Sequence, residues 1–149
     1  MFEGLGKGFM SFLLDKYLVN QEDLLASVSW RFAHGLLVVE SSDSADPHEG
    51  WSPAVESVHA GADSLYVAVL PAASGFATLT CVSGSYQPPG LRAAFTGVLR
   101  FSDASMAITD PGGSLSLEVP APGERCSVTL YSDHPDEPSE LVLVVAEAA

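Results

Sequence analysis

Positive charge is what this chain has least of. Six lysines and arginines stand against nineteen aspartates and glutamates, a formal net charge of −13 over 149 residues. Phosphate contacts require Lys and Arg, so the composition argues against direct nucleic-acid binding, and against an anionic membrane surface for the same reason. Cysteine is nearly absent too. Cys81 and Cys126 both fall in alternating apolar runs, ATLTCVSG and ERCSVTLY, and read as two buried free thiols; a disulfide between neighbouring strands stays open at this level. There is no C-x-x-C, which removes zinc ribbons and thioredoxin-type sites, and no G-x-S-x-G elbow for a nucleophilic serine. Gly4-Leu5-Gly6-Lys7-Gly8 follows no strand and leads to no GK[ST], so it is not a phosphate loop. No uncharged apolar run reaches the roughly 18 residues of a membrane span. Glu3, Lys7, Asp15 and Lys16 interrupt the apolar N-terminus and no A-x-A site follows, so the expected location is cytoplasmic.

What the chain does contain is a core. Hydrophobic residues make up 47% of it, and its length suits one domain, 1–149. Phe2, Leu5, Phe9, Phe12, Leu13 and Tyr17 fall at helical spacing and predict an N-terminal α-helix over 1–20. After Gln21 the pattern becomes that of strands, expected at Leu25–Trp30, Gly35–Glu40, Ser64–Leu70, Ala77–Val82, Leu91–Leu99, Ser105–Ile108, Ser114–Val119, Cys126–Tyr131 and Leu141–Val145. Turn signals rich in Gly, Pro and Asp separate them. The fold class this predicts is mainly β: an antiparallel β-sandwich over 25–146 with one N-terminal α-helix.

The acids are concentrated. Residues 41–63 and 132–149 hold ten of the nineteen and no base. Within them lie two proline-broken, histidine-bearing stretches, SSDSADPHEGW (41–51) and SDHPDEPSE (132–140). His48 with Asp46 and Glu49, and His134 with Asp133 and Asp136, are competent metal ligands by type, but neither stretch has the spacing of a zinc or calcium loop. No metal and no cofactor is expected. The charge instead favours a basic protein partner, which such a field would attract. Asp43, Asp46, Glu49, Asp133, Asp136, Glu137 and Glu140 are the candidate partner-binding acids. Trp51, which closes the first stretch, is either an interface anchor or a plug on the sandwich edge. Trp30, Trp51, Tyr86 and Tyr131 are the aromatics a sugar-binding sandwich would use. Two further readings stay open: an assembly module joined through the N-terminal helix, and a ligand- or metal-binding sandwich.

The order of residues resembles a known family. Val28-Ser29-Trp30, then Gly35–Val39, then an acidic loop closing on Trp51, is similar to the start of the ComJ-type nuclease inhibitors. Ser64–Leu70, Gly75–Val82, Ala94-Phe95-Thr96-Gly97, Met106-Ala107-Ile108 and the hairpin from Ser114 through Pro122-Gly123 to Tyr131 continue the likeness, which covers about residues 27–146. The resemblance implies a non-enzymatic inhibitor or immunity-type protein that binds and silences a nuclease or toxin.

Overall fold

The computed structural model describes residues 19–48 and 51–148. The helix expected over 1–20 falls outside them except for its last two residues, and Glu49 falls outside as well. Among the described residues, helix is limited to three short 3-10 turns, Gln21–Asp23, Ala33–Gly35 and Ser102–Ala104.

The rest is strand. The elements are β1 (Leu24–Trp30), β2 (Leu36–Ser41), β3 (Val58–Ala60), β4 (Ser64–Ala68), β5 (Ala77–Ser83), β6 (Arg92–Arg100), β7 (Ser105–Thr109), β8 (Ser116–Pro120), β9 (Arg125–Ser132) and β10 (Glu140–Glu147). They form two five-stranded sheets, β1-β5-β10-β9-β6 and β3-β4-β2-β7-β8. All nine expected strands are present, and β3 is an addition. Three residues are too few to establish a period, and Val58-His59-Ala60 pairs with β4 only through the fold.

Alternation explains most of the packing. In β9, Cys126, Val128, Leu130 and Ser132 are buried while the residues between them are not. Cys126, Val128 and Leu130 meet Leu37, Val39, Leu65, Val67, Met106 and Ile108 of the other sheet in one core, which also holds Phe32 and Phe101 with no exposure. Both cysteines are buried and free. They sit on β5 and β9, with β10 between those strands, so they are not neighbours.

β10 departs from alternation, and it corrects the all-antiparallel expectation. It pairs antiparallel with β9 but parallel with β5. Leu141, Leu143 and Val145 enter the inter-sheet core, whereas Val142 and Val144 pack on the opposite face against Val19 and Val82, with Leu24, Tyr86 and Leu91. A run apolar at every position fits a central strand covered on both faces, and that position puts it beside β5 in parallel.

The two ends of the sandwich carry different loops. At one, β2 finishes at Ser41 beside Ser64, and the Ser41 hydroxyl accepts the Ser102 N–H. At the other, β2 begins at Leu36 opposite Ala68, and the Leu70 N–H donates to Pro138 O. His34 and Gly35 both adopt left-handed φ, 58° and 62°, to enter β2; a Cβ on Gly35 would stand 2.9 Å from Val69 O, so only glycine fits.

Asp110 locks the turn after β7. Its buried carboxylate accepts the Ser114 N–H (3.0 Å), the Leu115 N–H (3.2 Å) and the Ser114 hydroxyl (2.8 Å). Burial pushes its pKa up, but these bonds outweigh burial and hold it below the usual 3.8. Asp110→Ala should lower stability by about 2 kcal/mol in urea unfolding at neutral pH. Because the folded-state pKa is depressed, that difference is present above pH 3.8 and shrinks as the pH falls below it.

Candidate functional site

The first acidic stretch begins with its own internal scaffold. The Ser41 hydroxyl donates to Asp43 Oδ1 at 2.7 Å, and the Ser44 hydroxyl donates to Asp63 Oδ1 at 2.9 Å. Asp46 Oδ1 accepts the His48 N–H at 2.9 Å, a local turn that Pro47 helps to bend. The Asp46 carboxylate lies against Gly61, where a Cβ would come within 1.8 Å of Oδ2.

That turn delivers His48 to the interior. His48 adopts φ 50° and is only 5% exposed. Its ring stacks on Tyr66 with centroids 3.7 Å apart and planes 13° from parallel. Its Nδ1 is 2.7 Å from His59 Nδ1, its Nε2 is 2.8 Å from Ser64 Oγ, and Asp46 Oδ2 lies 3.6 Å from the same Nε2. Ser64 also hydrogen-bonds Glu40. One arrangement satisfies every group. His59 Nδ1–H donates to His48 Nδ1, His48 Nε2–H donates to Ser64 Oγ, and the Ser64 hydroxyl donates to the Glu40 carboxylate. Trp51 closes the cluster. Its Nε1–H donates to Glu56 O at 2.7 Å, and its ring meets Tyr66 edge-on and lies over His59 at 6.3 Å. These are the contacts of a plug on the sheet edge.

The Ser64–His48 pair has the geometry of a nucleophile beside a base, but Ser64 has no exposure, so its hydroxyl does not reach a substrate in this conformation. Burial pushes the His48 pKa below 6.5; Asp46 opposes this and His59 reinforces it. Burial, then Asp63, pushes Glu40 up.

The acids named from the sequence separate into two groups. Asp43 and Asp46 stand at the Ser41 end. Asp43 joins Asp103 and Glu118 around a cleft of about 350 Å³ floored by Ser42, Ser102 and Ser105. The Ser41 and Ser102 hydroxyls hold the fully exposed Asp43 below the usual carboxylate range, so it is charged at neutral pH. Asp133, Asp136, Glu137 and the start of β10 at Glu140 stand at the Leu36 end, a strand length of about 17 Å away along β2. There Asp136 and Glu137 share a cleft with Pro53 and Ala54, so the segment just after the first stretch meets the second. Asp133 serves its own turn: Oδ1 accepts the N–H groups of Ser139 and Glu140, and Oδ2 accepts the Ser139 hydroxyl.

Among the described residues, no group of three or more His, Cys, Asp or Glu side chains converges as a metal site. His134 Nδ1 is taken up by backbone N–H groups. Of the four aromatics, Trp30 packs against the main core, Tyr86 and Tyr131 against the second cluster, and Trp51 against His59 and Tyr66.

No family model matches the chain, and no curated protein matches it. Solved structures do. ComJ from Bacillus subtilis, described as the inhibitor of the DNA degrading activity of NucA, aligns with a TM-score of 0.65 at 11% identity, over 84% of this chain and 97% of ComJ. This chain has the fold of ComJ. The product of crocagin biosynthetic gene J aligns at a TM-score of 0.57 and 11% identity, also over 84% of this chain and 97% of its own. The resemblance expected over residues 27–146 is thus borne out in the fold. No helix of the described residues is long and apolar enough to cross a membrane.

His59, Ser64 and Tyr66 were not legible as site residues. They sit 11, 16 and 18 positions beyond His48, on β3 and β4, and no local pattern ties them together. Because the His48 pKa is depressed in the folded protein, its contribution is full above pH 6.5 and is lost as pH falls below it. A proton on His48 Nδ1 would face the His59 N–H. Thermal unfolding should therefore show stability falling below pH 6.5. His48→Asn, which tolerates the positive φ, should be about 2 kcal/mol less stable at neutral pH and lack that fall. Glu40 has the opposite sign, a raised pKa that makes its ionised form unfavourable in the folded state. Glu40→Gln should raise Tm at neutral pH, and the gain should vanish as pH falls toward 4.5.

Proposed function

We propose that this protein is a non-enzymatic inhibitor that binds a basic nuclease or nuclease-like toxin, and that the Ser41 end of the sandwich is the face it presents. The observation that carries this is the cleft of Asp43, Asp103 and Glu118, at the end where Ser41 and Ser102 keep Asp43 ionised and where Ser44 ties Asp46 and Asp63 to the same loop. A nuclease must hold phosphate, so its active site is basic. Carboxylates held on a rigid edge are complementary to such a site, and the net charge of −13 draws it in. The ComJ fold supports the reading, since ComJ is an inhibitor of a DNA-degrading activity.

The acids named from the sequence take different parts. Asp43 supplies charge directly. Asp46 supplies charge and also holds the loop through His48, and Trp51 buttresses the loop from behind. Glu49 belongs to the same stretch. Asp136 and Glu137 form a second acidic site at the other end, with Asp133 and Glu140 shaping its turn.

Protein immobilised on a resin should capture from its native lysate a basic protein that elutes with salt. The eluate should degrade DNA until the inhibitor is added back. Captured protein without nuclease activity, or elution indifferent to salt, overturns the reading. With that partner, Glu118→Lys combined with Asp103→Asn should slow association about tenfold or more, while Glu137→Lys leaves it nearly unchanged. Equal effects from both variants would move the docking face away from the Ser41 end.

A further inference from the structure

The Leu36 end carries a second kind of surface. A cleft of about 500 Å³ opens between the edges of the two sheets. Its walls are Ser57 ahead of β3, Arg92 and Ala94 of β6, and the turn from Ser132 to Pro135. β3 and β6 are edge strands, each paired on one side only.

The polar groups in this cleft are mostly donors. His134 Nδ1 accepts the backbone N–H of Asp136 at 3.1 Å and of Glu137 at 3.0 Å. A ring nitrogen that accepts two N–H groups carries no proton, so the neutral ring bears its proton on Nε2 and presents a donor there. Among the described residues, the Arg92 guanidinium and the Ser57 hydroxyl have no hydrogen-bond or ion-pair partner. The one carboxylate on the wall, Asp133, is committed to its turn by three hydrogen bonds. The Ser132 hydroxyl donates to His134 O at 3.2 Å. Asp136 and Glu137 line a different cleft, with His34 and Pro53. In a chain with only four arginines, one of them thus stands unpaired in a concave site whose single acid is already occupied.

We infer that this cleft binds an oxyanion, a carboxylate or a phosphate, through the Arg92 guanidinium, His134 Nε2–H and the Ser57 hydroxyl. A planar guanidinium and a neutral imidazole donor lining one cleft are suited to the paired oxygens of either group. The site is separate from the acidic face assigned to the nuclease partner, so it stands or falls independently of that reading.

The test is an amide NMR titration with inorganic phosphate and, separately, with citrate, at neutral pH and constant ionic strength set by chloride. Saturable shifts should appear at Ser57, Arg92–Ala94 and Ser132–Pro135 and leave the Ser41 end still. Arg92→Gln, an exposed position whose change leaves the core intact, should weaken binding about tenfold or more. Saturation by citrate alone assigns the site to carboxylates, and saturation by phosphate alone assigns it to phosphates. Shifts that fail to saturate with either anion, or an unchanged affinity in Arg92→Gln, overturn the proposal.

Discussion

Burial of β10 on both faces is the constraint on which the sandwich depends. Leu141, Leu143 and Val145 fill the space between the sheets while Val142 and Val144 cover the outside of their own sheet. A strand apolar on both sides has one stable place, the middle, and from there it hydrogen-bonds β5 on one side and β9 on the other. β1 and β6 become edges as a result. The turn before β10 also inherits its position: Asp133, Ser139 and Glu140 close a loop that packs on Leu70 and Thr78 through backbone hydrogen bonds. The oxyanion cleft between β3 and β6 exists because β6 is an edge.

At the other end the governing interaction is the burial of one imidazole. His48 has a partner for each ring nitrogen and an aromatic face beneath it, so a polar ring sits inside the sheet edge without an unsatisfied group. The left-handed φ at His48 is a local strain that this network holds in place, and the Asp46 carboxylate has room only because Gly61 carries no Cβ. Asp43 is displayed at the start of a loop that His48 anchors from within, and Asp103 and Glu118 meet it from other elements. Asp43 supplies charge, His48 supplies the anchor, and Asp46 takes part in both.

Much of the fold was readable from the residues alone. Alternation identified β8 and β9 to within two residues, turn residues marked the intervening loops, and the two cysteines proved buried and free as their surroundings implied. β3 was not readable because three residues carry no period. The parallel β5–β10 pair was not readable because strand direction is set by the whole path of the chain. The site was legible as charge but not as geometry. His48 entered only as a metal ligand by type, yet it is buried, and partners that bury it lie on strands β3 and β4.

By itself the sequence determined the mainly β class and the strong negative charge, because hydrophobic periodicity and net charge are local or additive properties of the chain. Tertiary structure alone decided where that charge is displayed. The two acidic stretches look alike in composition, yet their described acids stand at opposite ends of β2, because each loop is delivered by the strand that precedes it. Which histidine turns inward and which arginine is left unpaired was decided in the same way, by contacts between residues far apart in the chain.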